Sequence, residues 1–174
     1  HALVAMHTKG AMPIHKATIV PRGMALGMVS YLPEKDQLNM SREQMLATLD
    51  VAMGGRIAEE LVFGASQVTT GAQGDLATAT AIARNMVTKY GMSETLGPVY
   101  APDDDRANLS PATRELIDKE VQKILESAQE RARQVLKSHQ KELHLLAAGL
   151  QKYETLSRDD IGKVIKGQEL KMDR

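Results

Sequence analysis

The 174-residue chain has no cysteine, no tryptophan, one phenylalanine and four tyrosines, and its 22 basic side chains are cancelled by 22 acidic ones. Each shortage excludes something. Without a thiol there is no cysteine nucleophile, no disulfide and no cysteine-ligated zinc, although the absence assigns no compartment. Zero net charge argues against a nucleic-acid partner, which draws a basic excess, and so few aromatic rings leave little for base stacking. No apolar run approaches the roughly 18 residues of a membrane span, and no signal peptide is visible. A charged fraction of 25% argues against intrinsic disorder. A chain of this length buries about 70% of its unfolded surface and folds as one domain without a metal or disulfide staple.

The residues that are present divide unevenly. Positions 1–100 carry eight basic and eight acidic side chains, and 101–174 carry fourteen of each. Nine of ten methionines and ten of thirteen glycines lie before residue 98, where they imply turns, close backbone approaches and adaptable packing. Residues 1–97 therefore read as the part holding a site, 98–110 as a connecting loop, and 111–174 as a helical scaffold of the same domain. Ala2–Thr8 reads as the tail of a helix stopped by Gly10 and Pro13. Lys16–Val20 and Leu26–Tyr31, joined by Pro21-Arg22-Gly23, predict a small β-hairpin or sheet near the N-terminus. Ser41 and Gln44 have capping-box spacing, which predicts a helix to Phe63 with Gly64 as its stop. Further helices are predicted over Gln73–Tyr90, from Ser110-Pro111 along a stripe of Ile117, Val121, Ile124, Ala128 and Val135, over His139–Tyr153, and over Ser157–Ile165. The fold class is mainly α.

Three features could carry chemistry. On the helix 41–63, Met45, Leu49, Ala52 and Met53 define an apolar face, and Arg56, Glu59 and Glu60 fall on or beside it. Such charges are either paired, for instance Arg56 with Glu60 one turn on, or serve a site in which a carboxylate orients a metal ligand. Asp75 follows a Gly-rich loop in the first turn of a helix. There it either complements the helix dipole or reaches into a cleft as a ligand or acid. Among His1, His7, His15, His139 and His144 no pair has the i,i+4 spacing of two helical zinc ligands, and His139 with His144 reads as part of a solvated face. By spacing alone there is no metal site.

Several strings in order are more specific. His1-Ala-Leu-Val-Ala, Gly10-Ala-Met-Pro-Ile-His-Lys-Ala-Thr-Ile-Val-Pro-Arg-Gly23, Gly54-Gly-Arg-Ile-Ala-Glu-Glu-Leu61, Thr69-Thr-Gly-Ala72 with Asp75-Leu76, and Asn85-Met-Val-Thr-Lys-Tyr-Gly-Met-Ser93 closely resemble the peptidase domain of the FtsH family. Members are membrane-anchored, ATP-dependent zinc metalloproteases. Met24-Ala-Leu-Gly-Met28, Leu32-Pro33, Tyr153-Glu-Thr-Leu156 and Lys166-Gly167 resemble the mitochondrial i-AAA branch, with a leaning toward its fungal members.

The resemblance implies specific roles. The family motif is His-Glu-x-x-His, and His1 matches its second His, so the first His and the general-base Glu would precede residue 1. The third zinc ligand is an Asp, which falls on Asp75. Glu60, with Arg56, is the choice for a partner behind the ligands, or Glu60 for a buried ion pair, rather than for a ligand. The parent protein would act at the mitochondrial inner membrane as a homo-hexamer in protein quality control, degrading unfolded or misassembled proteins. Its membrane anchor and its ATP- and Mg-binding AAA module would lie outside this chain, and the fragment by itself would be inactive. The competing class is a non-catalytic helical assembly module or a degenerate member of the family.

Overall fold

The computed structural model describes residues 1–23, 26–32 and 39–171; Met24, Ala25 and Pro33 of the branch-like strings lie outside them. Helix α2 (Arg42–Phe63) begins where the sequence places it. The Ser41 hydroxyl accepts from the Gln44 N–H, and the Gln44 side chain accepts from the Ser41 N–H, so two otherwise orphaned donors are satisfied at once. Helix α4 (Pro111–Ser138) is capped by Ser110 and carries Pro111 in its first turn, where a missing N–H costs nothing. These two helices make the most extensive element–element contact. The buried stripe of α4 is Ile117, Val121, Ala128, Ala132 and Leu136. Ile124 and Val135, which the periodicity assigns to that stripe, are only partly buried beside it.

Helix α3 (Gln73–Thr88) packs across both, burying Ala79, Ala83, Met86 and Val87. The short α1 (Ala2–Met6) is buried from Ala2 to Ala5 against α2 and α4. Leu3, Leu49, Ile57 and Leu156 are among the fully buried side chains, and each such residue contributes about 1.5–3 kcal/mol of transfer free energy. The core therefore draws on both halves of the sequence. The connection is pinned as well: the Ala101 N–H donates to the Thr88 carbonyl at 2.7 Å, and Asp103–Asn108 forms 3-10 turns.

The expected hairpin is present with shifted bounds. Strand β1 (Ile14–Thr18) pairs antiparallel with β2 (Met28–Tyr31), so the strand starts at Ile14 rather than Lys16. A third strand was not legible. Helix α5 (Gln140–Tyr153) ends at Glu154, which takes φ 67°, and the chain returns as β3 (Thr155–Ser157) on the other side of β1 before α6 (Arg158–Val164). Three residues are too few to show an alternating pattern. Leu156 is nevertheless fully buried, and the Thr18 and Thr155 hydroxyls meet at 2.8 Å. The order β2-β1-β3 puts β2 at an edge.

Two carboxylates of α2 find partners on α4. Asp50, one of the few buried polar residues, receives the Arg131 guanidinium on both oxygens at 2.9–3.1 Å. Burial pushes its carboxyl above the ordinary value despite that cation. Glu60 pairs with Arg133 at 2.9 Å, and Arg133 also holds Glu130. The expected Arg56–Glu60 pair is not among the ion pairs of the described residues. Arg133 offers a planar fork from the facing helix that takes two carboxylates together, and Arg56 instead lines a separate cleft with Met53, Leu76 and Gln129. His144 is exposed, as a solvated face requires, but His139 is not part of such a face: it is partly buried and stacks on His7.

Candidate metal centre

His1 caps the start of α1, and Asp75 is the third residue of α3. The fold brings them together: His1 Nε2 lies 3.2 Å from Asp75 Oδ2, with the side chains 30% and 39% exposed. The other ring nitrogen decides what that contact is. His1 Nδ1 lies 2.7 Å from the Val51 carbonyl oxygen, which can only accept. Nδ1 therefore carries a hydrogen, and in the neutral imidazole the Nε2 lone pair faces a carboxylate oxygen. Two such acceptors at that distance can share a cation between them. Two ligands of one tetrahedral zinc, each about 2.0–2.1 Å from the metal, stand about 3.3 Å apart. An imidazole with its far nitrogen anchored to a backbone carbonyl is also the usual state of a metal-bound histidine. The donor set fits zinc.

Local structure explains why these two groups meet. The helical glycines Gly54 and Gly55 face α1: a Cβ on Gly55 would stand 2.6 Å from His1 Nε2, and one on Gly54 would stand 3.1 Å from Val4 Cγ2 and 3.2 Å from His1 N. Their lack of side chains lets α1 lie against α2 with the imidazole over the helix surface. On the other side, the Glu59 carboxylate accepts from the Thr69 N–H at 3.0 Å and from its hydroxyl at 2.9 Å, while Thr69 Oγ1 accepts from the Gly71 N–H. Glu59 thus ties down the turn that leads into Asp75. Of the paired carboxylates, Glu59 reaches toward the ligand loop and Glu60 fastens α2 to α4. In the sequence Glu59 shows only as a charge on or beside the apolar face of α2, and its bond to Thr69 comes from the fold.

His1 and Asp75 open onto a cleft of about 460 Å³ between α2 and strand β2, lined by Met28, Val29 and Tyr31 among others. Burial, reinforced by the charge of Asp75, pushes the Tyr31 phenol up to about 12, so it stays a neutral donor beside the cleft. Neither Glu60 nor Arg56 lines this space.

Residues 1–164 match the sequence pattern of Peptidase family M41. The chain belongs to that family. The M41 chain is 52% identical over 165 residues to "ATP-dependent zinc metalloprotease FTSH 11, chloroplastic/mitochondrial" of Arabidopsis thaliana, covering 95% of this chain and 20% of that protein. It is 51% identical over 172 residues to "ATP-dependent zinc metalloprotease YME1L1" of Homo sapiens, covering 99% and 22%. With "ATP-dependent zinc metalloprotease YME1 homolog" of Schizosaccharomyces pombe it shares 50% over 167 residues, covering 96% and 23%. Plant, animal and yeast relatives stand equally near, so nothing in them favours a fungal origin. The M41 chain spans about a fifth to a quarter of the length of the curated relatives it matches.

Proposed function

We propose that this M41 chain is the peptidase part of an ATP-dependent zinc metalloendopeptidase, with His1 and Asp75 as two of the protein ligands of the zinc. The observation that carries this reading is the contact of His1 Nε2 with Asp75 Oδ2 at 3.2 Å while His1 Nδ1 is committed to Val51. When bound, zinc supplies Lewis acidity toward a peptide carbonyl and lowers the pKa of a water molecule. The chain's own residues do the rest of the holding. His1 and Asp75 fix one side of the metal, Glu59 steadies the turn before Asp75, and Gly54-Gly55 set the height of His1. By family resemblance the first His and the general-base Glu stand in the His-Glu-x-x segment ahead of the residue matching His1. The parent's membrane anchor, its hexameric ring, its inner-membrane site in mitochondria and its role in clearing unfolded proteins belong to the same reading, supported by relatives named ATP-dependent and chloroplastic/mitochondrial.

Casein cleavage tests the proposal. The 174-residue chain, with two ligands and no general base, is expected to leave casein intact, and the parent protein is expected to cleave it until a zinc chelator is added. Chelator-insensitive cleavage by the parent, or cleavage by this chain alone, would sink it.

Strand β2 adds a substrate-binding mode. Its outer edge is unpaired among the described residues, and it borders the cleft that holds His1 and Asp75. An extended polypeptide adding there as a strand is held through its backbone, which suits unfolded substrates of any sequence. Met28→Pro stiffens this edge and removes one N–H, so KM for an extended peptide is expected to rise about tenfold in the complete enzyme. Unchanged cleavage kinetics would count strongly against strand addition.

A further inference from the structure

Apart from His1 and Asp75, three side chains capable of holding a metal converge among the described residues: His7, His139 and Glu142. His7 caps the C-terminal end of α1, His139 is the corner between α4 and α5, and Glu142 lies in the first turn of α5. His7 Nε2 is 3.2 Å from Glu142 Oε2, and His139 Nε2 is 3.7 Å from the same oxygen. The two imidazoles stack with centroids 3.7 Å apart and planes 15° from parallel, and all three ligand atoms lie within 4.8 Å of one another.

The protonation pattern is informative here too. His139 Nδ1 lies 2.8 Å from the Val135 carbonyl oxygen, so Nδ1 carries a hydrogen and, in the neutral imidazole, the Nε2 lone pair faces the Glu142 carboxylate. Among the described residues, Glu142 has no Lys or Arg ion partner, only the two histidines. In their neutral forms the imidazoles offer lone pairs beside a carboxylate that no Lys or Arg balances among the described residues. The separations of 3.2 and 3.7 Å bracket the roughly 3.3 Å expected between two ligands of a tetrahedral zinc. Because the rings lie nearly parallel, they must splay out of their stack for both Nε2 atoms to reach a common ion.

We propose that His7, His139 and Glu142 form a second transition-metal site, distinct from His1 and Asp75, which clamps the end of α1 to the α4–α5 corner. Two imidazoles and one carboxylate suit Zn²⁺ rather than Mg²⁺ or Ca²⁺, which prefer all-oxygen shells. The three side chains are each about a quarter to a third exposed, so water completes the coordination. The clamp has a structural consequence. Helix α1 is only five residues long and carries His1 at its other end, so an ion at His7 fixes the helix on which the first centre depends.

The test uses the tag-free 174-residue chain carrying Asp75→Asn, which disables the other ligand pair. Zinc chloride at a hundredfold excess over Kd is expected to raise the unfolding temperature by about 5 °C or more, and magnesium chloride is expected to leave it unchanged. In the same background, His139→Gln and Glu142→Gln are each expected to weaken zinc binding at least about tenfold by calorimetry. The imidazole resonances of His7 and His139 should shift together on zinc titration. A zinc response that is absent in the Asp75→Asn chain overturns the proposal. So does one that survives both substitutions at positions 139 and 142, or imidazoles that respond to protons but not to zinc.

Discussion

Asp75→Asn is expected to cut proteolysis by the complete enzyme about a thousandfold, with zinc content falling in parallel and the fold intact. The substitution keeps the shape of the side chain and one oxygen, but it removes the negative charge that faces His1 Nε2 at 3.2 Å. A neutral amide is a poor zinc ligand, and turned over it presents N–H groups to the metal. Folding has little at stake, because Asp75 is 39% exposed in a first helical turn, where its interaction with the helix dipole is worth about 0.3–1 kcal/mol. Zinc analysis and a thermal melt on one sample separate the two effects. Full zinc occupancy with normal turnover would remove Asp75 from the ligand set.

Gly55→Ala is expected to act in opposite directions on stability and activity. Alanine in a helix interior is more favourable than glycine by up to about 1 kcal/mol, so propensity alone predicts a firmer α2. Yet a methyl group at position 55 would stand 2.6 Å from His1 Nε2, nearer than any nonbonded carbon–nitrogen contact permits. The imidazole has to swing away, which breaks its hydrogen bond to Val51 and carries Nε2 from Asp75. A loss of about a hundredfold or more in activity is expected, since misplacing a catalytic group by about 1 Å costs that much. The unfolding temperature should stay level or rise. Activity equal to the unsubstituted enzyme would show that His1 does not sit over Gly55 in the working site.

What could be read from the residues alone was mostly local. Ser41 with Gln44, Ser110 before Pro111, and Ser157 with Asp160 each mark a helix start through contacts spanning three residues, and all three caps form. Asp75 likewise appeared in the first turn of its helix. The anomaly on α2 was visible too, as charges on an apolar face, but its resolution was not. Asp50 and Glu60 are satisfied by Arg131 and Arg133 of a helix far along the chain, and Asp50 itself went unremarked. Spacing rules connect neighbours on one helix and are blind to partners supplied by packing. The same blindness hid Glu59 beneath Thr69 and the meeting of His7 with His139. It also hid β3, whose three residues acquire strand geometry only because β1 offers them hydrogen bonds.

That late strand has a consequence for the order in which the fold forms. β1 receives β2 from the next stretch of chain but its other neighbour from Thr155–Ser157. During synthesis the polypeptide emerges from its N-terminus, so the sheet that borders the cleft waits with one flank open until Thr155–Ser157 has left the ribosome. Pairing between positions so distant in the chain is also slow to form. The strand edge beside His1 and Asp75 is thus among the last parts of the described fold to be secured.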